Sequence, residues 1–481
     1  MKKWQLSLAD ALSGTGGQTD FGGSVSAVHF SGIGTDTRKS LAGQLFVALK
    51  GDRFDAHDFL PAAIEAGASG LLVHQDIKHL KVPAAVVVIR VSDTLHALQS
   101  LAHAWRRRCG FKVVGITGSN GKTSTKEFTR TILENHFKVH ASQGSFNNHW
   151  GVPISLLAAS PEDEVVVQEM GMNHSGELTE LTRIAQPDIS VVTMVGRSHI
   201  GEVGSQEAVA DAKEELYLTA PQAIQIFNLD NHWTIPMLQR ARQRRQAKRI
   251  MTFSSFREAD VQMRVERLAD FALEISGKIG GREGRATVSV VGRHNVVNLM
   301  AAASIAYALG MKAEEIWREM PRCRGAWGRN QVVDLKSGAK VLFDGYNANP
   351  ESMTALLKNL FEIEVSGQKV VVLGEMMELG HESAKAHREI GELVARSGFD
   401  VVWFMGPHKA DFQAGMEAEG FSKTFFVSDG YEESLARKVG SMLNPSDIAV
   451  VKGSRAMKME QVLQQWQPIN FTVYGSSSNR L

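Results

Sequence analysis

One glycine-rich stretch of this sequence has residue types and spacing suited to holding a nucleotide. It reads VVGITGSNGKTSTKE and covers residues 113–127. Five residues separate Gly115 from Gly121, one more than the phosphate-loop pattern G-x-x-x-x-G-K-[ST] allows. An apolar strand ending at Thr117, a glycine turn and a helix from about Lys122 would still direct backbone N–H groups and a helix dipole at one anion. The stretch therefore predicts binding of nucleotide phosphates.

Two side chains of this stretch have the chemistry for phosphate and metal. We expect Lys122 to reach the β- and γ-phosphates and Thr123 to offer its hydroxyl to Mg2+. The alternative is a glycine turn with a chance G-K-T, but the apolar run before it and the helical pattern after it favour a phosphate loop. These residues alone leave the reaction open.

The elements that must position this loop are indicated by apolar runs typical of buried parallel strands. The runs are VVGIT at 113, VVVQEM at 165, ISVVTMV at 189, VVVLGEM at 370, VVWFMG at 401 and IAVVKG at 448. Helical patterns lie between the runs, at 123–137, 207–218 and 295–309. Strands that alternate with helices predict doubly wound α/β layers.

The chain is too long for one hydrophobic core, at 481 residues. We expect three α/β domains: a small N-terminal module at 1–108, a central P-loop-type parallel-sheet domain at 109–323, and a C-terminal Rossmann-like domain at 324–481. The second boundary is placed near the segment RCRGAWGRN, Arg322 to Asn330.

Composition narrows the classes of function. A net charge of +1, with 43% hydrophobic and 22% charged residues, lacks the basic excess of a nucleic-acid binder. The first residues contain no apolar core of signal-peptide length and no later run approaches 18 apolar residues, so we expect a cytoplasmic protein without membrane insertion. Cys109 and Cys323 lie far apart, which supports neither a disulfide framework nor a thiolate metal site.

The spelling TGSNGKT, Thr117 to Thr123, resembles the lengthened ATP loop of the Mur ligase superfamily. These amide-forming enzymes build the peptide of bacterial cell-wall precursors, and the superfamily includes the folylpolyglutamate synthases. Five further segments resemble family motifs in the same order: GSFNNHWGVPISLL at 144, EMG at 169, SHIGEVGSQEAVADAKEEL at 198, GRHNVVNLMAA at 292 and DGYNANPESM at 344. The resemblance thus covers nearly the whole chain.

The resemblance implies a set of ATP contacts. They are Thr117, Gly118, Ser119, Asn120, Gly121, Lys122, Thr123, Asn295, Arg329, Asp344, Tyr346 and Asn347. Asn295 would present its amide to adenine, although an asparagine that only caps a helix is the alternative. Arg329 could approach the γ-phosphate and Asp344 the ribose, while Tyr346 and Asn347 shape the pocket.

The resemblance also implies metal ligands around Thr123, with two Mg2+ ions. Glu169 ends an apolar strand, where an acid would lie beside the ligand crevice and bind Mg2+; the alternative is a solvated or capping acid. His199 is a second candidate ligand or a loop histidine. Lys213 matches the lysine that the family carbamylates, which turns a cation into an anion. Its alternative is a surface lysine paired with the acids of its helix.

Substrate class follows from further resemblances. Residues 34–73 resemble the UDP-binding module shared by the enzymes that add the third amino acid and the final dipeptide, and the implied substrate contacts are Asp36, Thr37, Arg38, Asn147 and Asn148. The segment NANP after Tyr346, without any D-N-P-R, is similar to the member that adds D-alanyl-D-alanine. The implied enzyme joins D-alanyl-D-alanine to UDP-N-acetylmuramoyl-tripeptide with ATP, through an acyl phosphate. The alternative is the sibling that adds diaminopimelate or lysine to the UDP-linked dipeptide.

Two interpretations from other classes compete with this one. The basic run QRARQRRQAKR at 239–249, with the arginines at 106–108, could indicate a nucleic-acid-binding ATPase, but no aromatic residues are interleaved. A P-loop kinase or GTPase lacks a recognisable motif here and leaves the N-terminal module unexplained. We expect small-molecule substrates, no nucleic-acid partner and a monomer. The third residue of the peptide and the strictness of dipeptide selection are not readable from the sequence.

Overall fold

The computed structural model describes residues 5–51, 54–144, 146–196, 200–269, 271–361, 365–377, 379–469 and 471. Its contacts divide the chain into two compact units. The first comprises Met1–Met263, Lys278–Glu283 and Val297–Ile316, and the second comprises Arg264–Gly277, Gly284–Val296 and Trp317–Leu481. The domain boundaries expected at 108 and 323 stay predictions.

The amino-terminal elements form a small α/β layer. In chain order they are β1 (Leu6–Ser7), α1 (Leu8–Thr15), β2 (His29–Phe30), β3 (Ile33–Gly34), β4 (Leu45–Val47), α2 (Leu60–Glu65), β5 (Gly70–Val73), β6 (Val87–Arg90) and α3 (Thr94–Cys109). Strands β3 to β6 make a parallel sheet in chain order, and β1 pairs antiparallel with β2. Helix α3 packs on the following segment, where Trp105 Nε1 donates to the carbonyl of Ala159 at 3.0 Å.

The central elements build a large sheet with helices. They are β7 (Lys112–Thr117), α4 (Lys122–Leu133), β8 (Val139–Ala141), α5 (Gly151–Ala158), β9 (Val165–Glu169), α6 (Glu177–Ala185), β10 (Ile189–Val192), α7 (Ile200–Val203), α8 (Gln206–Thr219), β11 (Ile224–Asn228), α9 (Thr234–Arg244), β12 (Arg249–Ser254), β13 (Val261–Ala269), β14 (Ala272–Ile279), β15 (Arg282–Val288), α10 (Asn295–Ala308) and α11 (Ala313–Glu319). The strand order is β15-β14-β13-β12-β11-β10-β7-β9-β8. Strands β9 and β10 are buried along their whole length, because helices cover both faces of such a parallel sheet.

The register of the central strands brings their carboxyl ends together. Strand β7 lies between β9 and β10 and is parallel to both. Ile116 is opposite Glu169, and Thr117 is opposite Val192. The residues that follow these strands therefore meet at one edge, as expected for a ligand site of an α/β sheet.

The carboxyl-terminal elements form a second layered sheet. They are β16 (Gln331–Leu335), β17 (Lys340–Asp344), α12 (Pro350–Phe361), β18 (Lys369–Gly374), α13 (Ser383–Arg396), β19 (Val401–Met405), α14 (Lys409–Ala418), β20 (Thr424–Ser428), α15 (Glu433–Gly440), β21 (Ile448–Lys452), α16 (Glu460–Gln465) and β22 (Pro468–Ile469). The order is β20-β19-β18-β21-β17-β16-β22. Five strands are parallel, whereas β16 runs antiparallel to both β17 and β22. The predicted α/β fold class is confirmed.

Helix length and composition also bear on membranes. Among the described residues, no helix combines the length and the apolar character that crossing a bilayer requires.

Candidate active site

The glycine-rich loop lies between β7 and α4, in the predicted order of strand, turn and helix. Gly118 has φ +149° and Gly121 has φ +84°, conformations that favour glycine. A Cβ at Gly118 would overlap the hydroxyl of Thr193, and one at Gly121 would overlap the amide oxygen of Asn298. Both glycines are therefore required by backbone conformation and by space.

The segment after β10 braces this loop. Ser119 N donates to the carbonyl of Met194 at 2.8 Å, and Gly196 N donates to Ser119 Oγ at 2.8 Å. Thr193 Oγ1 donates to the carbonyl of Asn120 at 2.6 Å. Thr193 was not singled out in the sequence, because its contact joins residues that are far apart in the chain. The loop is thus held in shape by hydrogen bonds within the chain.

Lys122 is the first residue of α4 and is half-buried. Its Nζ donates to the carbonyl of Gly118 at 2.6 Å, so the ammonium group lies over the loop. An ammonium group beside loop amides and a helix N-terminus has the chemistry to bind phosphate oxygens.

Glu169 lies at the end of β9 with only 1% of its surface exposed. Thr123 Oγ1 donates to its Oε2 at 2.9 Å, and Asn147 Nδ2 donates to its Oε1 at 2.8 Å. No ion pair to Glu169 occurs within the described ranges of the chain. A buried carboxylate beside a hydroxyl, with neutral donors only, fits the hard oxygen ligands that Mg2+ prefers.

The two neighbouring asparagines have different surroundings. Asn147 lies on Glu169, and its backbone carbonyl accepts from Gly171 N at 2.7 Å. Asn148 Oδ1 accepts from Trp150 N at 3.2 Å and from Gly151 N at 2.8 Å, which orders the start of α5. The substrate contacts predicted for both residues stay predictions.

Lys213 is buried on α8, with 1% of its surface exposed. Its pKa is well below that of an ordinary lysine, because burial disfavours the charged amine and the charge of Lys122 adds to this effect. A neutral amine is the form that can react with CO2. The lowered pKa shifts Lys213 toward that neutral form, and its carbamylation stays a prediction.

The acids beside Lys213 on α8 point to other elements. Glu214 accepts hydrogen bonds from Arg240 Nε at 3.0 Å and from Arg244 at 3.3 Å, both on α9. Glu215 accepts from the backbone N of Gly176 at 2.7 Å and of Thr179 at 3.0 Å, which caps the start of α6. Three consecutive side chains of α8 therefore face three different parts of the unit.

His199, the other predicted metal ligand, lies outside the described residues.

In the second unit, Asp344 is buried at the end of β17 and pairs with the ammonium group of Lys452. Lys452 Nζ also donates to the carbonyl of Asn347 at 2.8 Å, and Asn330 N donates to Asp344 Oδ1 at 3.3 Å. Burial lowers the pKa of Lys452, while Asp344 acts in the opposite direction. Lys452 was not singled out in the sequence, where its signal is a lysine near the end of the apolar run IAVVKG.

The other predicted nucleotide contacts of this unit have partners of their own. The Arg329 guanidinium lies 4.3 Å from the centre of the Tyr346 ring, a cation–π contact. Asn347 Oδ1 accepts from Ala348 N at 2.9 Å, and Asn295 Nδ2 donates to the carbonyl of Val291 at 2.7 Å. The roles of these residues toward ATP stay predictions.

Two of the predicted UDP contacts bind each other in the loop after β3. Arg38 Nε donates to Asp36 Oδ1 at 2.8 Å and its second arm to Oδ2 at 3.0 Å. The hydrogen bonds from Arg38 lower the pKa of Asp36. Thr37 lies between them, half-buried. The Arg38 side chain is 88% exposed, so its guanidinium is accessible to an anionic ligand.

Family models match three successive parts of the chain. Residues 29–106 match the description "Mur ligase family, catalytic domain", residues 116–306 match "Mur ligase middle domain", and residues 328–455 match "Mur ligase, glutamate ligase domain". The three matches follow the order of the three predicted domains.

Full-length relatives agree with these matches. The chain is 32% identical to the UDP-N-acetylmuramoyl-tripeptide--D-alanyl-D-alanine ligase of Bacillus subtilis, over 96% of this chain and 98% of the relative. A MurF crystal structure from Acinetobacter baumannii superposes with a TM-score of 0.87 at 28% identity, covering 97% of this chain and 99% of that one. A MurF ligase from Thermotoga maritima, solved in complex with ADP, gives a TM-score of 0.74 at 25% identity and covers 90% of this chain and 96% of that one. This chain belongs to the Mur ligase family, as its sequence, its glycine-rich loop and its layered sheets all indicate.

Proposed function

We propose that the chain joins D-alanyl-D-alanine to UDP-N-acetylmuramoyl-tripeptide, with ATP converted to ADP and phosphate. The choice of substrates is supported by the Bacillus subtilis relative of that name, which is similar over nearly its whole length. The observation that most supports the chemistry is the buried Glu169, held by Thr123 at the edge where the phosphate loop ends.

The proposed reaction has two steps. A carboxylate is a poor electrophile, so its oxygen first attacks the γ-phosphorus of ATP; the bond to the bridging oxygen breaks and ADP leaves. The amine of D-alanyl-D-alanine then attacks the carbonyl carbon of the acyl phosphate. A tetrahedral intermediate collapses, the C–O bond to phosphate breaks, and the nitrogen loses a proton.

In this scheme the phosphate loop supplies position and charge. The backbone amides of the loop other than that of Ser119, which is bonded to Met194, would hold the β- and γ-phosphates together with the ammonium of Lys122, in line with the attacking carboxylate. Thr123 and Glu169 are the residues that would hold a Mg2+ ion, which neutralises charge on the transferred phosphoryl group. Rotating the Thr123 hydroxyl away from Glu169 would free Thr123 Oγ1 and Glu169 Oε2 for such an ion.

We include a carbamate on Lys213 in the proposal. Attack of its neutral amine on CO2 forms an N–C bond and releases a proton, leaving an anion on α8. Since the charge of Lys122 already acts on Lys213, the carbamate would reverse a repulsion into an attraction. His199 and this carbamate are the proposed ligands of a second Mg2+ ion.

The remaining predicted contacts belong to the same proposal. Asn295, Arg329, Asp344, Tyr346 and Asn347 are assigned to the nucleotide. Asp36, Thr37, Arg38, Asn147 and Asn148 are assigned to the UDP-linked peptide. We further propose that the enzyme acts in the cytoplasm as a monomer, with no nucleic-acid partner.

The test is phosphate release from ATP by the purified protein. UDP-N-acetylmuramoyl-tripeptide and the UDP-linked dipeptide are each offered with D-alanyl-D-alanine, with single amino acids or with no second substrate, and product masses are measured. Release that needs both the tripeptide and the dipeptide supports the proposal. Release only with the UDP-linked dipeptide and one amino acid would move the chain to the sibling step. Lys122→Ala serves as the negative control, and its rate should fall below about a tenth of wild type.

A further inference from the structure

Lys126 is a fully buried lysine on α4, one turn after Lys122, with 0% of its surface exposed. Its Nζ donates to the carbonyl of Ser142 at 2.6 Å and to the carbonyl of Gly144 at 2.8 Å. It also pairs with Glu127 Oε1 at 3.0 Å. Three oxygens match the three N–H donors of an ammonium group, so the side chain is satisfied without water.

The segment that Lys126 holds leads to Glu169. We call residues 142–144 and 146–147 the linking segment. At its start, Ser142 Oγ accepts from the backbone N of Glu169 at 3.3 Å. At its end, Asn147 donates to Glu169 Oε1 at 2.8 Å. The linking segment therefore touches both the backbone and the side chain of Glu169.

Helix α4 consequently reaches the Glu169 carboxylate by two routes. Thr123 donates directly to Oε2 at 2.9 Å. Lys126, three residues further along the same helix, holds the carbonyls of Ser142 and Gly144, and Asn147 of the same linking segment donates to Oε1. Helix α4 begins at the phosphate loop. The positions of both carboxylate oxygens of Glu169 are therefore related to the helix that would hold the nucleotide.

We propose that Lys126 is a positioning residue: through the linking segment, it orients the Glu169 carboxylate for Mg2+ beside the nucleotide. The inference rests on the proposed function for the presence of Mg2+ and nucleotide, but not for the identity of the peptide substrates. It assigns Lys126 no contact with any substrate. Since Asn147 is also a predicted substrate contact, the same lysine links the nucleotide site to the UDP-peptide site.

The test uses the full-length Lys126→Met variant, which removes the donor but keeps an unbranched side chain. ADP binding is measured by calorimetry with and without Mg2+. Without Mg2+, affinity should stay within about twofold of wild type, since the phosphate loop is intact. The gain in affinity that Mg2+ gives should fall by about 10-fold to 100-fold, as is usual when a group that orients a metal ligand is lost.

Glu127→Gln is the matched control. It removes the ion pair of Lys126 but leaves the bonds from Lys126 to the two carbonyls, and the ion pairs of Glu127 within the described part of the chain go to Lys126 and Arg130. It should keep the Mg2+ dependence within about twofold of wild type. If Glu127→Gln loses as much of the Mg2+-dependent gain in ADP affinity as Lys126→Met does, the effect comes from the ion pair. That result would overturn the proposal.

Two further readouts separate the outcomes. A folded Lys126→Met protein with wild-type Mg2+ dependence would overturn the inference, whereas wild-type protein that binds ADP with Mg2+ but ligates no peptide would overturn only the proposed reaction. If Lys126→Met does not fold, amide exchange of the wild type decides. ADP with Mg2+ should slow exchange in the linking segment by about threefold or more beyond ADP alone, and an unchanged rate would refute the role of Lys126.

Discussion

The hydroxyl of Thr123 donates to one oxygen of Glu169 across 2.9 Å, so the first turn of α4 and the end of β9 meet at a single buried carboxylate. The second oxygen accepts from the amide of Asn147. Since both partners are neutral, the negative charge of Glu169 is not compensated by either of them. A bound cation would supply that compensation.

Glu169→Gln tests this relationship. The amide keeps the size of the side chain and a carbonyl oxygen for Thr123 but removes the charge. We expect turnover to fall by about 100-fold at ordinary Mg2+ concentrations, because charge on the phosphoryl group is then poorly neutralised. The measurement is a Mg2+ titration of phosphate release. Glu162→Gln, whose side chain is 67% exposed, is the control; identical titrations for both variants would contradict the assignment.

Gly118→Ala and Gly121→Ala should abolish ADP binding. Each adds a Cβ that overlaps a neighbouring side chain, in addition to strain at positive φ. Gly110→Ala isolates the strain, because Gly110 also has positive φ, +70°, but no atom lies within 4 Å of its added Cβ. All three variants should lose about 1–3 kcal/mol of unfolding free energy from strain. Calorimetry with ADP should show binding by Gly110→Ala alone, and equal binding by all three would disprove the steric argument.

Lys213 should make stability depend on pH. Its pKa is lowered in the folded state from the ordinary value of 10.5, so between the two values the unfolded chain binds the extra proton. Unfolding free energy must then rise with pH across that window, by up to about 1.4 kcal/mol per pH unit, and the contribution levels off above 10.5. Lys213→Met lacks this dependence.

Urea unfolding in CO2-free buffer gives the unfolding free energy of wild type and of Lys213→Met at several pH values between about 7 and 10. The quantity to follow is the difference between the two proteins at each pH. The exposed Lys138→Met is the control and should follow wild type at every pH, since its side chain is 65% exposed. Adding bicarbonate should raise wild-type turnover if the carbamate forms. A pH-independent difference would show that Lys213 is charged in the folded protein.

Lys452→Met should be strongly destabilising. It leaves Asp344 as an unpaired buried charge, at an expected cost of about 3–5 kcal/mol in unfolding free energy. The double variant Lys452→Met with Asp344→Asn removes both charges and should recover most of that loss. Thermal unfolding of the two variants decides the matter, and equal stability would mean that the pair is not the source of the effect.

Local features of the fold were largely predictable. Helix α4 was predicted at 123–137 and spans Lys122–Leu133, while α8 and α10 agree to within one residue at each end. The end of α4 was missed because no glycine marks it; Glu134 closes the helix instead. Strands β13 to β15 were not predicted. Buried and exposed positions mix along β14 and β15, so the sequence there contains no continuous apolar run that would indicate a buried strand.

The same distinction holds for the candidate site. The phosphate loop and Glu169 were predictable since each is read from one strand and the residues that follow it. The contacts of Lys126 with Ser142 and of Lys452 with Asp344 span 16 and 108 residues of sequence, and no local pattern encodes them. Asn147 was predicted to bind substrate, whereas its contact with Glu169 emerged only from the folded chain.

The three consecutive side chains of α8 make this helix intolerant of insertions. Lys213 enters the core, Glu214 is gripped by α9 and Glu215 caps α6. One residue added within α8 before Lys213 would rotate everything beyond it by about 100°. All three contacts would then be lost together, although no side chain had been changed. The number of residues in α8 before Lys213 is therefore fixed by these three contacts. A substitution changes one contact at a time, whereas a change of length disrupts all of them.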